Sequence, residues 1–313
     1  MKRLQLISFL LVLLPVSISL NQINGQSISS DNIINKDKGR IILAYKSFEE
    51  FLKSDKSWES YRKIVLGSCP EMQAVHNKTL SWGSIDSVRF PEEVTKFKKA
   101  DWEQYFREYD RKTLDYLYDS LIARANKTLA PLNHNHVDLC LFLPYGGCFI
   151  IPGERKCTIY ISLLINPDEV PKIMIHEYAH NLHIQRRPVE PFNLKRELVS
   201  EGMAVYLTTL ILKDPGLSKS VPFMPDSSVQ WCFKNEHLIK NTIKTELGDT
   251  TFNCLKKFIA DGPVSTPPKG FVEKTGYFAG YRIIEACIKK GMKLEDICSL
   301  NSDSVIAGSG YFN

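Results

Sequence analysis

The sequence lacks the features of several functional classes. It contains no internal repeat, no basic run interleaved with aromatic residues and a net charge of only +5. Nucleic-acid binding normally needs a concentrated basic patch, so we expect no nucleic-acid partner. No two cysteines stand as C-x-x-C, which argues against a cysteine-based zinc knuckle. No segment after the first 20 residues is apolar enough to span a bilayer, so we expect no stable membrane insertion of the mature chain.

The N-terminal 25 residues predict export. Lys2 and Arg3 precede an apolar run from Leu4 to Leu20, and the polar segment NQINGQ follows. This is the layout of a secretory signal peptide, with cleavage after Gly25 or nearer Ser19. The alternative is an uncleaved membrane anchor, against which the shortness of the run argues. We therefore expect a protein that is exported to a periplasm, to the cell surface or into the medium.

Eight cysteines lie in the mature part of the chain. An even number of cysteines in an exported protein predicts disulfides, although one sequence cannot give their pairing. We expect these residues to form crosslinks.

The rest of the chain predicts an α+β protein that is mostly helical. Residues 26–45 are expected to be a flexible leader, residues 46–130 a helical N-terminal region and residues 131–310 the core of the protein. The last two regions should form one compact unit. Short apolar or alternating runs at 137–143 and 156–165 predict strands of a small sheet.

The stretch IMIHEYAHNLH, residues 173–183, carries the strongest functional signal. It lies in a helix predicted over 173–184, where His176 and His180 stand one turn apart, about 6 Å along the axis. Two imidazoles at that spacing can bind one metal ion. Glu177 is offset round the helix, where it can accept a proton from a water molecule beside the metal. H-E-x-x-H therefore predicts a catalytic zinc site.

A third ligand is expected on the next predicted helix, NLKRELVSEGMAVYLTTLIL. Glu201 follows His180 by about twenty residues, which is enough for a turn and an antiparallel return. Glu197, one turn earlier, is the rival ligand. Gly202 is costly inside a helix, and we expect it to allow close approach to the His176 helix. His183 is two turns from His176, so we expect it to lie behind the ligands or on the surface.

At these residues the sequence resembles a known family. HEYAH followed by SEGMAVY resembles the gluzincin metallopeptidases. With the later segment TGYFAGYRIIEACIKKGMKLEDI, the chain is similar to DUF2268, a group of predicted zinc-dependent proteases, over roughly residues 45–300. The resemblance implies a zincin-like fold, one Zn²⁺ held by His176, His180 and Glu201, and Glu177 as general base.

The resemblance also implies how a peptide would bind. An edge strand, expected at 157–164, could pair with an extended substrate. Tyr277 or Tyr281 could donate a hydrogen bond to the oxyanion, with Tyr277 the first choice. The alternative is that both tyrosines only pack in the core. Thermolysin-type enzymes carry an aspartate four residues after the glutamate ligand. This chain has Val205 at that position, so the residues that orient the histidines stay unassigned.

Two functions follow from these observations. The first is an exported zinc metallopeptidase that acts on a peptide or protein substrate. The second is a non-catalytic exported protein that binds peptides or proteins and keeps a structural zinc site. The presence of Glu177 favours the enzyme, because a structural site needs no base.

Overall fold

The computed structural model describes most of the chain. The described residues are 32–81, 90, 94, 111–132, 136–144, 146–152, 156–213, 221 and 224–313. The predicted signal peptide, residues 1–25, lies outside them. None of the helices within the described ranges has the length and apolar character needed to cross a bilayer.

Helices and one small mixed sheet make up the described part of the chain, which confirms the α+β prediction. The strands are β1 (Ile33–Lys36), β2 (Gly39–Ile42), β3 (His136–Phe142), β4 (Cys148–Ile151) and β5 (Lys156–Ser162). The N-terminal helices are α1 (Tyr45–Phe51), α2 (Trp58–Tyr61), α3 (Pro70–Ser81), α4 (Arg111–Tyr116) and α5 (Ile122–Thr128), with a π-helical turn between the last two. The later helices are α6 (Val170–Ile184), α7 (Leu194–Leu212), α8 (Asp226–Lys234), α9 (Glu236–Glu246), α10 (Phe252–Phe258), α11 (Thr275–Lys289), α12 (Leu294–Cys298) and α13 (Ser302–Ser309).

The sheet has the order β1-β2-β3-β5-β4. Strands β2, β3 and β5 are parallel, whereas β1 and β4 run antiparallel to their neighbours. Strands β3 and β5 are buried at every position after the first. Burial of both faces is usual for central parallel strands, and it requires helices on both sides of the sheet. Helix α6 packs against β4 and β5.

Part of the predicted flexible leader is ordered, so that prediction is wrong for the described residues. Strands β1 and β2 form a hairpin, and β2 extends the sheet by pairing with β3. Ile41 and Ile42 are fully buried in the same hydrophobic core as the site helices. The polar composition around this hairpin concealed its two strands, which have four residues each and together hold only four apolar residues.

The segment 157–164 is not an edge strand: the edges of the sheet are β1 and β4, and β4 is the edge that packs against α6. Strand β5 covers most of that segment and is paired on both sides, with β3 and with β4. The four residues of β4 are too short a run to be recognised as a strand from periodicity.

The structure contains no disulfide, so the predicted crosslinks are wrong. All eight cysteines lie among the described residues, and all are free and buried. The thiols are core groups, and some of them also donate weak hydrogen bonds, as Cys287 does to the Val305 carbonyl oxygen at 3.4 Å.

Helix α7 packs against both α6 and α11. The close approach at Gly202 is to α11 and not to the His176 helix as predicted. A Cβ atom on Gly202 would lie 2.3 Å from the carbonyl carbon of Gly280. Long-range packing of this kind cannot be read from local sequence.

Candidate metal and catalytic site

Helix α6 carries three of the candidate groups into the protein interior. A short 3₁₀ turn precedes it and is capped by Asn166, whose side chain accepts a hydrogen bond from the Asp168 N–H at 3.1 Å. The helix then runs from Val170 to Ile184, which confirms the predicted helix. Every residue from Ile173 to His183 is buried. Apolar side chains on all sides of α6 therefore hold its histidines inside the protein.

Three ligand-type atoms meet between α6 and α7. His176 Nε2 lies 3.1 Å from Glu201 Oε2 and 3.2 Å from His180 Nε2. His180 Nε2 lies 3.5 Å from the same carboxylate oxygen. Tetrahedral ligands at about 2.0–2.1 Å from a zinc ion are about 3.3 Å apart. The three distances bracket that value, so these residues fit one Zn²⁺. No other group of three metal-binding side chains occurs in the described ranges.

One serine orients part of this cluster. Ser200 Oγ lies 3.3 Å from His180 Nδ1, on the side of the ring opposite the Nε2 atom that faces Glu201. A hydrogen bond at one ring nitrogen fixes which nitrogen is presented to a metal. Nδ1 of His176 is buried without a hydrogen-bond partner among the described residues. The sequence left unassigned the residues that orient the histidines, and Ser200 is placed to do this for His180.

Burial and neighbouring charges set the protonation of the three groups. Burial lowers the pKa of His176 to about 4, so the ring is neutral at pH 7, as a metal ligand must be. Burial also acts to lower the pKa of His180, but the Glu201 carboxylate outweighs burial and raises it. Burial acts to raise the pKa of Glu201, but the two histidines hold that pKa below its usual range. A buried, ionised carboxylate therefore faces two imidazoles, which favours a cation between them.

Glu177 lies between α6 and the edge strand of the sheet. Its side chain is 5% exposed, and it is the residue directly after the first histidine of the cluster. The thiol of Cys148, the first residue of β4, donates to Glu177 Oε1 at 3.7 Å. The carboxylate therefore lies against the first residue of β4.

The structure separates the rival residues from the cluster. Glu197 is buried but accepts hydrogen bonds from Arg196 Nε at 2.8 Å and Nη2 at 2.6 Å. His183 is also buried, which excludes the predicted surface position, and burial and Arg187 hold its pKa well below the usual value. Neither residue belongs to the group that could hold a metal.

Of the two candidate tyrosines, Tyr277 reaches the cluster. Its ring stacks on the ring of His176, with centroids 5.7 Å apart and an interplanar angle of 25°. Burial raises the pKa of Tyr277 well above its usual value, so the side chain is a neutral O–H donor. Tyr281 instead packs against Tyr206 and donates to Glu285 Oε1 at 3.3 Å.

A family model matches residues 126–307, which is more than half of the chain and includes all the site residues described above. The chain belongs to the DUF2268 family. This family is described as a predicted Zn-dependent protease, and the resemblance inferred from the sequence is confirmed. Searches of curated proteins and of solved structures found no match.

One charged pair of this DUF2268 protein was not foreseen from its sequence. Lys274 Nζ lies 5.2 Å from the centroid of the Tyr277 ring and 2.9 Å from Asp261 Oδ2. Both members of the pair are buried. In the sequence they stand thirteen positions apart across a loop rich in proline, where single charges normally face solvent. The only sequence signal for this pair is that Lys274 directly precedes the TGYFAGY segment.

Proposed function

We propose that this DUF2268 protein is a zinc metallopeptidase with a zincin-like arrangement, in which His176, His180 and Glu201 hold one Zn²⁺. The observation that carries the proposal is the triangle of three ligand atoms at tetrahedral spacing, beside a buried glutamate that the metal does not need. A site built only for stability would close its coordination shell, whereas three protein ligands leave a position for water. The family description points to the same chemistry.

The residues of the site have separate tasks in peptide hydrolysis. A bound Zn²⁺ supplies a Lewis acid that lowers the pKa of water and polarises a carbonyl group. Glu177 accepts the proton of the attacking water at a carboxylate oxygen and later delivers it to the leaving amine nitrogen. Tyr277 donates its O–H to the substrate carbonyl oxygen as negative charge develops there. Ser200 holds the His180 ring in orientation.

The edge of β4 is the surface on which we place the substrate. An extended peptide can add to an exposed sheet edge through backbone hydrogen bonds, with alternate side chains facing the protein. Strand β4 ends at Ile151, which is 39% exposed, and begins at Cys148, which contacts Glu177. A peptide along this edge would bring a carbonyl group past the general base.

Replacing Glu177 by Gln tests the proposal. The variant removes the base but keeps the shape of the side chain, so hydrolysis of a peptide library should fall about 100- to 10,000-fold. Zinc content should stay at one ion per chain. Glu169→Gln, the same change just before α6, is the matched control and should retain activity. Full activity in Glu177→Gln would refute the mechanism. If the wild type cuts no peptide and chelation only lowers its Tm, the structural-zinc alternative is correct.

We also propose that the protein is exported, on the basis of the N-terminal apolar run, which lies outside the described residues. N-terminal sequencing of the protein recovered from the cell envelope or medium tests this. Cleavage between Ser19 and Gly25 supports export, whereas an intact Met1 in the cytosolic fraction refutes it.

A further inference from the structure

A chain of contacts joins Asp261 to the candidate metal ligands. Asp261 Oδ2 pairs with Lys274 Nζ at 2.9 Å, and this ammonium group lies over the ring of Tyr277. The same ring stacks on His176. All four residues are at most 8% exposed, so water does not screen the contacts between them. The ring of Tyr277 thus lies between the charged pair and the first histidine of the cluster.

Holding Lys274 in this place is costly. Its backbone has φ 60°, in the left-handed region that favours glycine or asparagine, immediately before α11. Such a conformation is unfavourable for a residue with a side chain, and it is more frequent at functional sites than elsewhere. A buried ion pair also loses hydration that its attraction only partly returns, so the pair adds little to stability. Lys56 and Lys213 share this left-handed φ but are exposed, whereas Lys274 is buried, and packing alone would not select a buried lysine.

The backbone that carries Tyr277 has little freedom to move. A Cβ atom on Gly276 would lie 2.5 Å from Ile259 Cδ1 and 2.8 Å from the carbonyl oxygen of Phe258. At Gly276, helix α11 therefore packs in direct contact with the segment that contains Phe258 and Ile259. With the helix fixed, the orientation of the Tyr277 ring depends on the groups in contact with it. These include the His176 ring and the Lys274 ammonium group.

We propose that Lys274, held in place by Asp261, is a positioning residue that fixes the Tyr277 ring against His176 and presents its hydroxyl group to the substrate carbonyl oxygen. The proposal rests on the peptidase function proposed above. The attraction between an ammonium group and an aromatic ring is strongest when both are desolvated, which is the case here. Lys274 does not touch the reacting atoms and acts through Tyr277.

The first test needs no metal and no substrate. The metal-free protein is labelled with 3-fluorotyrosine, and the ¹⁹F resonance of Tyr277 is assigned as the one missing from Tyr277→Phe. In Lys274→Met this resonance should shift or broaden, whereas in Lys274→Arg it should stay close to its wild-type position because the charge is kept. Lys56→Met is the matched control, since Lys56 is also left-handed, at φ 59°, but exposed. An unchanged resonance in Lys274→Met would overturn the proposal.

The second test is a double-mutant cycle in the zinc-loaded enzyme. Tyr277→Phe should lower kcat about 100-fold, as loss of an oxyanion donor does. Lys274→Met should lower kcat about 10-fold or more with KM little changed, because the lost interaction is made in the transition state. Combined with Tyr277→Phe, Lys274→Met should add less than about a twofold further loss, because residues that act through one another are not additive. If Lys274→Met lowers kcat by the same factor in the wild-type enzyme and in Tyr277→Phe, the proposal is overturned.

Removal of Lys274 alone leaves the Asp261 carboxylate buried without its cation, which can unfold the protein. The double variant Lys274→Met/Asp261→Asn removes both charges and is measured in the same two tests. Wild-type activity and an unchanged Tyr277 resonance in this variant would overturn the proposal and leave the peptidase function standing. A wild-type protein that cuts no peptide would instead refute the peptidase function, and the ¹⁹F experiment would still decide whether Lys274 positions the ring.

Discussion

Gly202 and Gly280 place the backbones of α7 and α11 in direct contact, one residue from the candidate ligand Glu201. A Cβ atom on Gly202 would lie 2.3 Å from both the carbonyl carbon and oxygen of Gly280, and a Cβ atom on Gly280 would lie 2.2 Å from the Leu198 carbonyl oxygen. Backbone atoms cannot move aside as a side-chain tip can. The position of Glu201 is therefore tied to α11, which also carries Tyr277.

Gly202→Ala should separate these two helices. The methyl group must displace backbone, so we expect a loss of about 2 kcal/mol or more in the free energy of unfolding, despite the better helix propensity of alanine. The shift of Glu201 should also weaken zinc binding. Urea denaturation of the metal-free protein and competition with a zinc chelator measure the two effects.

Gly248→Ala is the control for this change. A Cβ atom on Gly248 would meet nothing within 4 Å. This variant should unfold and bind zinc as the wild type does. Equal stability of Gly202→Ala and Gly248→Ala would show that the helices are not in the described contact.

The location of the candidate site could be predicted because its chemistry is local. His176, Glu177 and His180 lie within one and a half turns of a single helix, so their spacing alone brings them together. Glu201 required only an antiparallel return. The partner of Gly202 could not be predicted, because nothing in its own segment indicates which of two helices comes close. Lys274 and Asp261 were missed for the same reason, since only the folded chain brings them to Tyr277.

Replacing each of the two glutamates of α7 by glutamine in turn tests which one binds the metal. Glu201→Gln should lower the zinc affinity by at least 10-fold, because an amide supplies no negative charge to a buried cation. Glu197→Gln should keep the metal, since Glu197 is paired with Arg196 and lies outside the ligand triangle. Zinc titration with a competing chelator measures both affinities. Loss of zinc from Glu197→Gln alone would show that the ligand has been misassigned.

The cysteines allow a chemical test of the structure. All eight are free, and burial raises the pKa of Cys140 and of Cys148 well above the usual value, so the reactive thiolate is scarce in the folded protein. Without reductant, a thiol reagent should label almost no cysteine in the native state. In denaturant it should label all eight. A smaller number in denaturant would indicate disulfides, as the sequence had predicted.

The fold was harder to foresee than the site, and the sheet shows why. Strands β3 and β5 are seven residues long and apolar, so their pattern predicted them. Strands β1, β2 and β4 have four residues each and are defined by their partners rather than by their own periodicity. Because β4 was not recognised, β5 was assigned to the edge.

A buried carboxylate joins the N-terminal hairpin to the rest of the sheet. Asp138 on β3 is 1% exposed and lies 2.7 Å from Arg40 Nη2 on β2 and 2.7 Å from Lys156 Nζ on β5. Burial acts to raise the pKa of Asp138, but hydrogen bonds and charge from these two cations outweigh burial and lower it below 3.8. The ionised carboxylate therefore stabilises the fold.

Asp138→Asn should destabilise the protein at pH 7 by about 2 kcal/mol, less than for a fully buried pair because both cations are partly exposed. The stabilisation by the ionised group is fully present above the ordinary pKa of 3.8 and is lost as the pH falls below it through the lower pKa of the folded state. The difference between wild type and variant should therefore shrink in acid. Urea denaturation of both proteins from pH 7 to pH 3 measures it. Asp303→Asn removes an exposed partner of Lys195 and should change stability little at any pH. A difference for Asp138→Asn that stays constant down to pH 3 would show that the charge of Asp138 contributes nothing to holding the hairpin to the sheet.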